Sequence, residues 1–297
     1  MQRFIKILKI TSGVIVILFV ASTVAIYFLS DARLKRKYAL PKPVKVKILK
    51  DSLTLARGKH LSVVTNCVLC HGNDLGGKVY YEGILGTIAG PNLTDLDKTQ
   101  KAYTNEDWIR SIRHGVRRDS TSLLVMPSEV FVKLSIPDLS ALISYIKQVP
   151  SVSRNIPETK LHFLGRTLLA LGKLPILVAS KTDHAAPIKL RNPMDTLELG
   201  NYMTEVYSCK GCHGTNLSGG RKMGVPGAPP STNLTNTGTG SWAKVDFIRI
   251  LRSGIKHDGK QMHDIMPWQN AGQLTDQEMN AIWVYLKSIP AVPTGKR

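Results

Sequence analysis

Two five-residue stretches hold residues that can do chemistry together: Cys67-Val68-Leu69-Cys70-His71 and Cys209-Lys210-Gly211-Cys212-His213. Between them they use all 4 cysteines of the 297-residue chain. Two thiols about one helical turn apart can add to the two vinyl groups along one porphyrin edge, and the histidine that follows then lies beneath the iron as its proximal ligand. C-x-x-C-H is therefore read as the attachment sequence of a c-type haem, once in each half of the chain. Each C-x-x-C could instead be half of a zinc site. That reading needs halves from distant parts of the chain and leaves both histidines coincidental. A structural disulfide is less economical still, because a tight C-x-x-C pair is more often redox-active or metal-binding.

The elements that must position these motifs repeat with them. Apolar residues at Leu55, Leu61 and Val64 predict a helix leading into Cys67, with Gly58 on it. Gly72, Gly76, Gly77, Gly83, Gly86 and Gly90 then predict loops wrapped closely over a flat cofactor. Thr104 with Asp107 has the spacing of a capping box ahead of Trp108, Ile109 and Ile112. Ser135 with Asp138, and Pro137 in the first turn, predicts another box opening a last helix buried through Leu139, Leu142, Ile143 and Ile146 and ended by Pro150. The second half repeats the order. Gly200 answers Gly58, Asn233-Leu234-Thr235 answers Asn92-Leu93-Thr94, Asp246 to Arg249 answers Asp107 to Arg110, and Met266-Pro267 answers Met126-Pro127. Thr275 with Glu278 opens the matching last helix. Two copies of one domain explain this, at 51–150 and 193–292, joined by a linker at 151–192 that has no repeat partner.

At the N-terminus, Arg3, Lys6 and Lys9 precede Ile10 to Ser30, 21 residues without a charge and long enough to span a bilayer. Apolar Ile26-Tyr27-Phe28-Leu29 stands where a cleavable leader would end in small residues. We read an uncleaved signal anchor, with a cleaved signal as the alternative. Residues 1–50 comprise this anchor and an extended tether from Ala39 to Lys50. Leu161 to Ala179 is apolar but interrupted by Arg166, Lys173 and Pro175, which argues against a second span; it reads as packed against one of the two domains, with contact with the membrane surface or a partner subunit as the alternative. The net charge of +19, from 40 Lys and Arg against 21 Asp and Glu, admits nucleic acid, an anionic membrane surface or an acidic protein partner. No groove-reading or base-stacking motif accompanies the basic residues, so nucleic acid is set aside.

On these residues each half resembles a class I cytochrome c domain, and the whole resembles membrane-anchored dihaem cytochromes c. The resemblance implies an all-α fold of two tandem cytochrome c domains after one N-terminal transmembrane helix. It implies two covalently attached c-type haems, held through Cys67, Cys70, Cys209 and Cys212, with iron ligands His71 and Met126 in the first domain and His213 and Met266 in the second. Of the 8 methionines only Met126 and Met266 share an equivalent position and a following proline. Met262 and His263 stand close enough in sequence to compete for the second iron. The family's first-helix glycine packs on a last-helix aromatic, which maps to Gly58 with Tyr145 and Gly200 with Tyr285. Its proline carbonyl, which receives the proximal histidine, maps to Pro91, and Thr232 holds the second place. Arg110, Arg113, Arg249 and Arg252 could neutralise haem propionates or simply line exposed helix faces. His60, His114, His162, His184 and His257 have no repeated counterpart and read as surface or hydrogen-bonded residues.

Histidine–methionine coordination fills both axial positions and raises the potential, favouring outer-sphere electron transfer over catalysis. The resemblance therefore implies a carrier passing electrons between a periplasmic or membrane dehydrogenase and a terminal acceptor in a respiratory chain. One form is the cytochrome subunit of an oxidoreductase complex. A haem enzyme such as a dihaem peroxidase or a thiosulfate-oxidising cytochrome is the alternative and needs one displaceable ligand. A haem-based sensor would need an output domain. Partners would be redox proteins of acidic surface, and similar proteins sit in the bacterial inner membrane, single-pass, with their haem domains in the periplasm.

Overall fold

The computed structural model describes residues 1–100, 102–189, 191–225 and 227–296, without the side chains of residues 99 and 100. Helix α1 runs over Gln2–Leu34, about 50 Å at 1.5 Å per residue, and is the one helix among the described residues long and apolar enough to cross a membrane. The chain beyond it is mostly helical. The first half contains α2 (Ser52–Val64), α3 (Cys67–His71), the hairpin β1 (Lys78–Gly83) and β2 (Gly86–Gly90), then α4 (Asn105–His114), α5 (Ser128–Phe131) and α6 (Ile136–Ile146). A connecting stretch adds β3 (Lys160–Leu161) and α7 (Phe163–Ala170). The second half contains α8 (Thr196–Val206), α9 (Cys209–His213), α10 (Asn236–Thr239), α11 (Lys244–Ser253), α12 (Trp268–Ala271) and α13 (Asp276–Ser288).

Local chemistry starts and stops these helices. The Asp51 carboxylate accepts from Thr54 N at 2.9 Å to cap α2, and the Asp195 carboxylate accepts from both Leu197 N and Glu198 N at 2.9 Å to cap α8. Thr104 with Asp107 and Thr275 with Glu278 close reciprocal capping boxes on α4 and α13. The third predicted box is only half made. Ser135 Oγ accepts from Asp138 N at 3.3 Å, but the Asp138 carboxylate turns away from its own helix towards Arg57 and Tyr202. Its shorter side chain cannot serve both, whereas Glu278 reaches back to Thr275 N at 3.0 Å and still meets partners across the molecule.

In each half the first and last helices cross at a glycine. A Cβ on Gly58 would stand 2.1 Å from Ala141 O and 2.5 Å from Tyr145 Cβ, and one on Gly200 would stand 2.0 Å from Ala281 O and 2.7 Å from Tyr285 Cβ. The glycine–aromatic pairings implied by the resemblance are both present. The helix expected to run into Cys67 instead breaks at Thr65–Asn66, where Asn66 takes φ 65°, and Ser208 takes φ 61° at the matching place. These left-handed residues re-aim the chain so that each C-x-x-C-H starts a short helix of its own.

The run expected to form closely wrapped loops and the stretch expected to form an extended tether both take up defined structure. The glycine-rich run after His71 forms the β1–β2 hairpin, and β3 adds to it to make a three-stranded antiparallel sheet. The tether lies along the first half with Val44, Val46 and Ile48 turned alternately into the core, and Leu49 N donates to Ser144 Oγ at 3.0 Å. The core is continuous across both halves, with Leu61, Leu139, Leu142 and Ile143 from one and Leu199, Met203, Met279 and Leu286 from the other.

Candidate haem sites

Both proximal arrangements have the same geometry. His71 Nδ1 lies 2.9 Å from Pro91 O and His213 Nδ1 lies 2.7 Å from Thr232 O. A carbonyl only accepts, so Nδ1 carries the hydrogen and donates, leaving the Nε2 lone pair for a metal. Thr232 supplies the carbonyl that proline supplies in the first half, since the bond uses main chain alone. Burial pushes both imidazoles below their ordinary pKa against the opposing pull of these carbonyls, which keeps them neutral as ligation requires.

The cysteines stand three apart on α3 and α9, one turn of helix, and none is in a disulfide. Burial raises all four thiol pKa values, those of Cys70 and Cys209 to about 11, with the neighbouring cysteine adding to each of these two. Gly90 lets the chain pass against the first motif, for a Cβ there would stand 2.1 Å from Cys70 O. Met126 and Met266 each precede a proline and a one-turn helix, α5 and α12, and both pack partly buried on the shared core with Cys67 and Cys209. His263 is otherwise engaged: its Nδ1 accepts from Ile265 N at 3.0 Å within its own turn.

Buried donors fit a ligand with carboxylates. Trp108 Nε1 and Arg113 Nε have no acceptor among the described residues, and Arg113 is 2% exposed. Burial lowers the Arg113 pKa, and its Nη1 donates to Leu134 O at 3.2 Å. The matching Arg252 donates instead to Asp276 at 2.8 Å, Arg249 lies 3.7 Å from Asp246, and Arg110 donates to Ser120 Oγ at 3.0 Å. Of the four arginines considered for propionates, Arg113 is therefore the buried one without a carboxylate among these contacts. Among the other histidines, His114 and His184 face each other at 3.2 Å between Nδ1 atoms, His257 lies 4.8 Å from the Trp242 ring, and His162 is exposed.

The halves meet through a polar cluster that the sequence did not reveal. Arg57 donates to Asp138 through Nε at 2.9 Å and Nη2 at 3.0 Å, and to Glu278 through Nη1 at 2.6 Å. His60 Nε2 is 2.7 Å from Glu278 Oε2, while Tyr202 OH donates to Asp138 at 2.8 Å and Tyr207 OH to Glu278 at 3.1 Å. Counted from Gly58 and Gly200, His60 and Tyr202 are equivalent. Each first helix thus reaches the acid in the first turn of the other half's last helix, a pseudo-twofold exchange. The signal was available: both positions carry a hydrogen-bonding side chain two residues after the crossing glycine. The residue before the first cysteine motif meets the second half across the same boundary. Asn270, beside the Met266-Pro267 turn, donates to Asn66 Oδ1 at 2.8 Å, and Tyr80 has its pKa raised by burial and by both Cys70 and Cys212.

The family model described as Cytochrome c matches this chain twice, at residues 55–150 and 201–290. The chain belongs to the cytochrome c family. With two such matches and two C-x-x-C-H sites, this cytochrome carries two covalently attached c-type haems. It is 28% identical over 262 residues to the fructose dehydrogenase cytochrome subunit of Gluconobacter japonicus, an overlap of 80% of this chain and 53% of that protein. It is 27% identical over 278 residues to the cytochrome c subunit of the quinone alcohol dehydrogenase of Gluconobacter oxydans (strain 621H), covering 83% and 57%. A diheme cytochrome c-type protein of Cereibacter sphaeroides is 24% identical over 268 residues, covering 80% and 86%. The cytochrome spans a little over half the length of the dehydrogenase subunits it matches.

Proposed function

We propose that this cytochrome is a membrane-anchored electron carrier, the cytochrome subunit of a dehydrogenase complex or its direct electron acceptor, handing electrons on to a terminal acceptor. The observation that carries this is the repetition of one closed arrangement. Each half offers an imidazole with its Nε2 free and its Nδ1–H tied to a carbonyl, at 2.9 and 2.7 Å, and a partly buried methionine at the equivalent place. A haem bound there supplies a reversible one-electron couple at its iron. Cys67 with Cys70 and Cys209 with Cys212 would attach it, and His71 with Met126 and His213 with Met266 would hold its iron. An iron held in this way would favour electron transfer over binding a substrate. We assign the haem domains to 51–150 and 193–292, place α1 across the bacterial inner membrane and both domains in the periplasm, and take the excess of basic residues as a surface for an acidic redox partner. Relatives named as subunits of sugar and alcohol dehydrogenases support the choice of donor class.

The test is the pair Met126→Ala and Met266→Ala. Each should lower one haem's potential by on the order of 0.1–0.3 V, within the roughly 0.8 V that axial ligands span, and open that iron alone to carbon monoxide. Rapid carbon monoxide binding to the unmodified protein would instead favour the haem-enzyme reading. An unchanged spectrum in Met266→Ala would move the second ligand to Met262 or His263.

A further inference from the structure

The stretch after the first domain has an unexpected neighbour. Arg166 on α7 donates through Nη1 to Asp31 Oδ1 at 2.7 Å and to Ser30 Oγ at 3.0 Å, and its guanidinium lies 4.7 Å from the centre of the Tyr27 ring. All three partners lie in the last two turns of α1, where the apolar run Ile10 to Ser30 gives way to charge. Leu34 from the end of α1 packs with Leu161, Leu169, Leu174 and Leu177, so the contact is apolar as well. Helix α7 is thereby held at the depth where α1 would leave a bilayer.

Its outer face is apolar. Gly165 and Leu169 point inward, whereas Phe163 is 44%, Leu164 38% and Leu171 62% exposed. Ile84, 73% exposed at the tip of the β1–β2 hairpin, stands beside them, because His162 N donates to Leu85 O at 3.0 Å. Exposed Lys160 and Lys173 flank α7, and Arg33, Lys35, Arg36 and Lys37 stand at the end of α1. An apolar face with a basic rim, fixed to the end of a membrane-crossing helix, has the composition of a helix lying in the lipid interface.

We propose that α7 and the hairpin tip dock onto the surface of the bilayer that α1 crosses, with Ile84, Phe163, Leu164 and Leu171 among the acyl chains and the lysines against anionic headgroups. The proposal rests on reading α1 as a span. Its consequence is positional. Leu177 and Val178, which follow α7, bond to Leu123 and Leu124 just before Met126, so the first domain's methionine loop is held one layer of protein from the lipid.

The test uses the full haem-loaded chain, alone, in nanodiscs containing anionic lipid. The native cysteines are consumed as thioethers, so a single added cysteine can be labelled with a charged, membrane-impermeant maleimide. Three variants are compared: Leu171→Cys, Ile15→Cys in the middle of α1, and Val245→Cys on the exposed face of α11. Interfacial burial of 5–10 Å should slow labelling of Leu171→Cys at least about tenfold relative to Val245→Cys, and charge reversal by Lys160→Glu with Lys173→Glu should restore it. If Leu171→Cys labels as fast as Val245→Cys while Ile15→Cys is protected, the docking proposal fails and the span stands; the patch then belongs to a protein partner. If Ile15→Cys labels freely, the span reading itself fails.

Discussion

The two halves solve one packing problem in different ways. Gly115 and Gly254 end α4 and α11 with φ 63° and 69°, and each is covered from the methionine side. In the second half the cover is internal: a Cβ on Gly254 would stand 2.6 Å from the Trp268 ring, two residues after Met266. In the first half Ser128 takes the tryptophan's place and is too small, and Val178 from the connecting stretch fills the gap, with Cγ2 2.4 Å from where a Gly115 Cβ would be. The same stretch then pairs Leu177 with Leu124 and takes Val125 N onto Ile176 O at 3.0 Å. The second domain closes its own loop, while the first depends on residues beyond its last helix. A duplicated fold can thus repeat its C-x-x-C-H and Met-Pro positions and still differ in what holds the methionine loop in place.

The largest test of how the halves differ lies at their junction. Arg57 sits between two carboxylates that are 1% and 2% exposed, while its counterpart Leu199, one residue before Gly200, is buried among apolar neighbours. Burial opposes the Arg57 charge, but its bonds to Asp138 and the negative charges around it hold its pKa above the ordinary value. Arg57→Met removes the cation that bridges the two buried acids, leaving Arg191 at 3.8 Å from Asp138 and His60 at 2.7 Å from Glu278. Breaking a buried pair from one side costs roughly 3–5 kcal/mol, which chemical denaturation should report as a lower midpoint. Leu199→Ala costs about 2–5 kcal/mol through its cavity alone. If Arg57→Met is neutral, the halves are held together by their shared core and the polar cluster contributes nothing.

The family and its two haems were legible in the sequence, and their setting was not. C-x-x-C-H states its chemistry in five consecutive residues, and the repeat places Met126 and Met266 without reference to tertiary contacts. Capping boxes were readable because a cap is local, and the one that failed, at Asp138, failed because a partner from α2 outbid the local bond. Residues 151–192 were readable as packing on one domain, but their particular contacts were not, for the same reason. Val178 is an ordinary apolar residue until Ser128 leaves a gap beside it, and Arg166 looks like an interruption of an apolar run until it meets Asp31. The hairpin hid in the glycines, whose pattern marks close approach and says nothing of pairing.

The next tests separate the two covers. Trp268→Ala removes a large, partly buried ring and should cost about 2 kcal/mol, with faster carbon monoxide binding confined to the second haem. Val178→Ala removes two methyl groups at a residue 1% exposed and should cost about 1.5 kcal/mol, with any opening confined to the first haem. Circular dichroism melts give the stability change and carbon monoxide kinetics assign the half. An effect of Val178→Ala on the second haem would show that the connecting stretch does not belong to the first domain's loop.

The smallest effect is a slope. Burial raises the pKa of Glu278, but the His60 hydrogen bond and the charges of His60 and Arg57 outweigh it and bring the carboxyl down to about 2 from its ordinary 4.5. A carboxyl lowered on folding takes up its proton in the unfolded chain first. Its contribution is therefore complete above about pH 4.5 and drains away as pH falls towards 2, at no more than about 1.4 kcal/mol per pH unit for one proton. Glu278→Gln should lower stability at neutral pH and flatten the acid limb across that window, while wild type and variant converge near pH 2. Parallel acid limbs would mean that folding does not lower the Glu278 pKa, and the ion pairs around it would then add nothing to the junction between the halves beyond what the unfolded chain has.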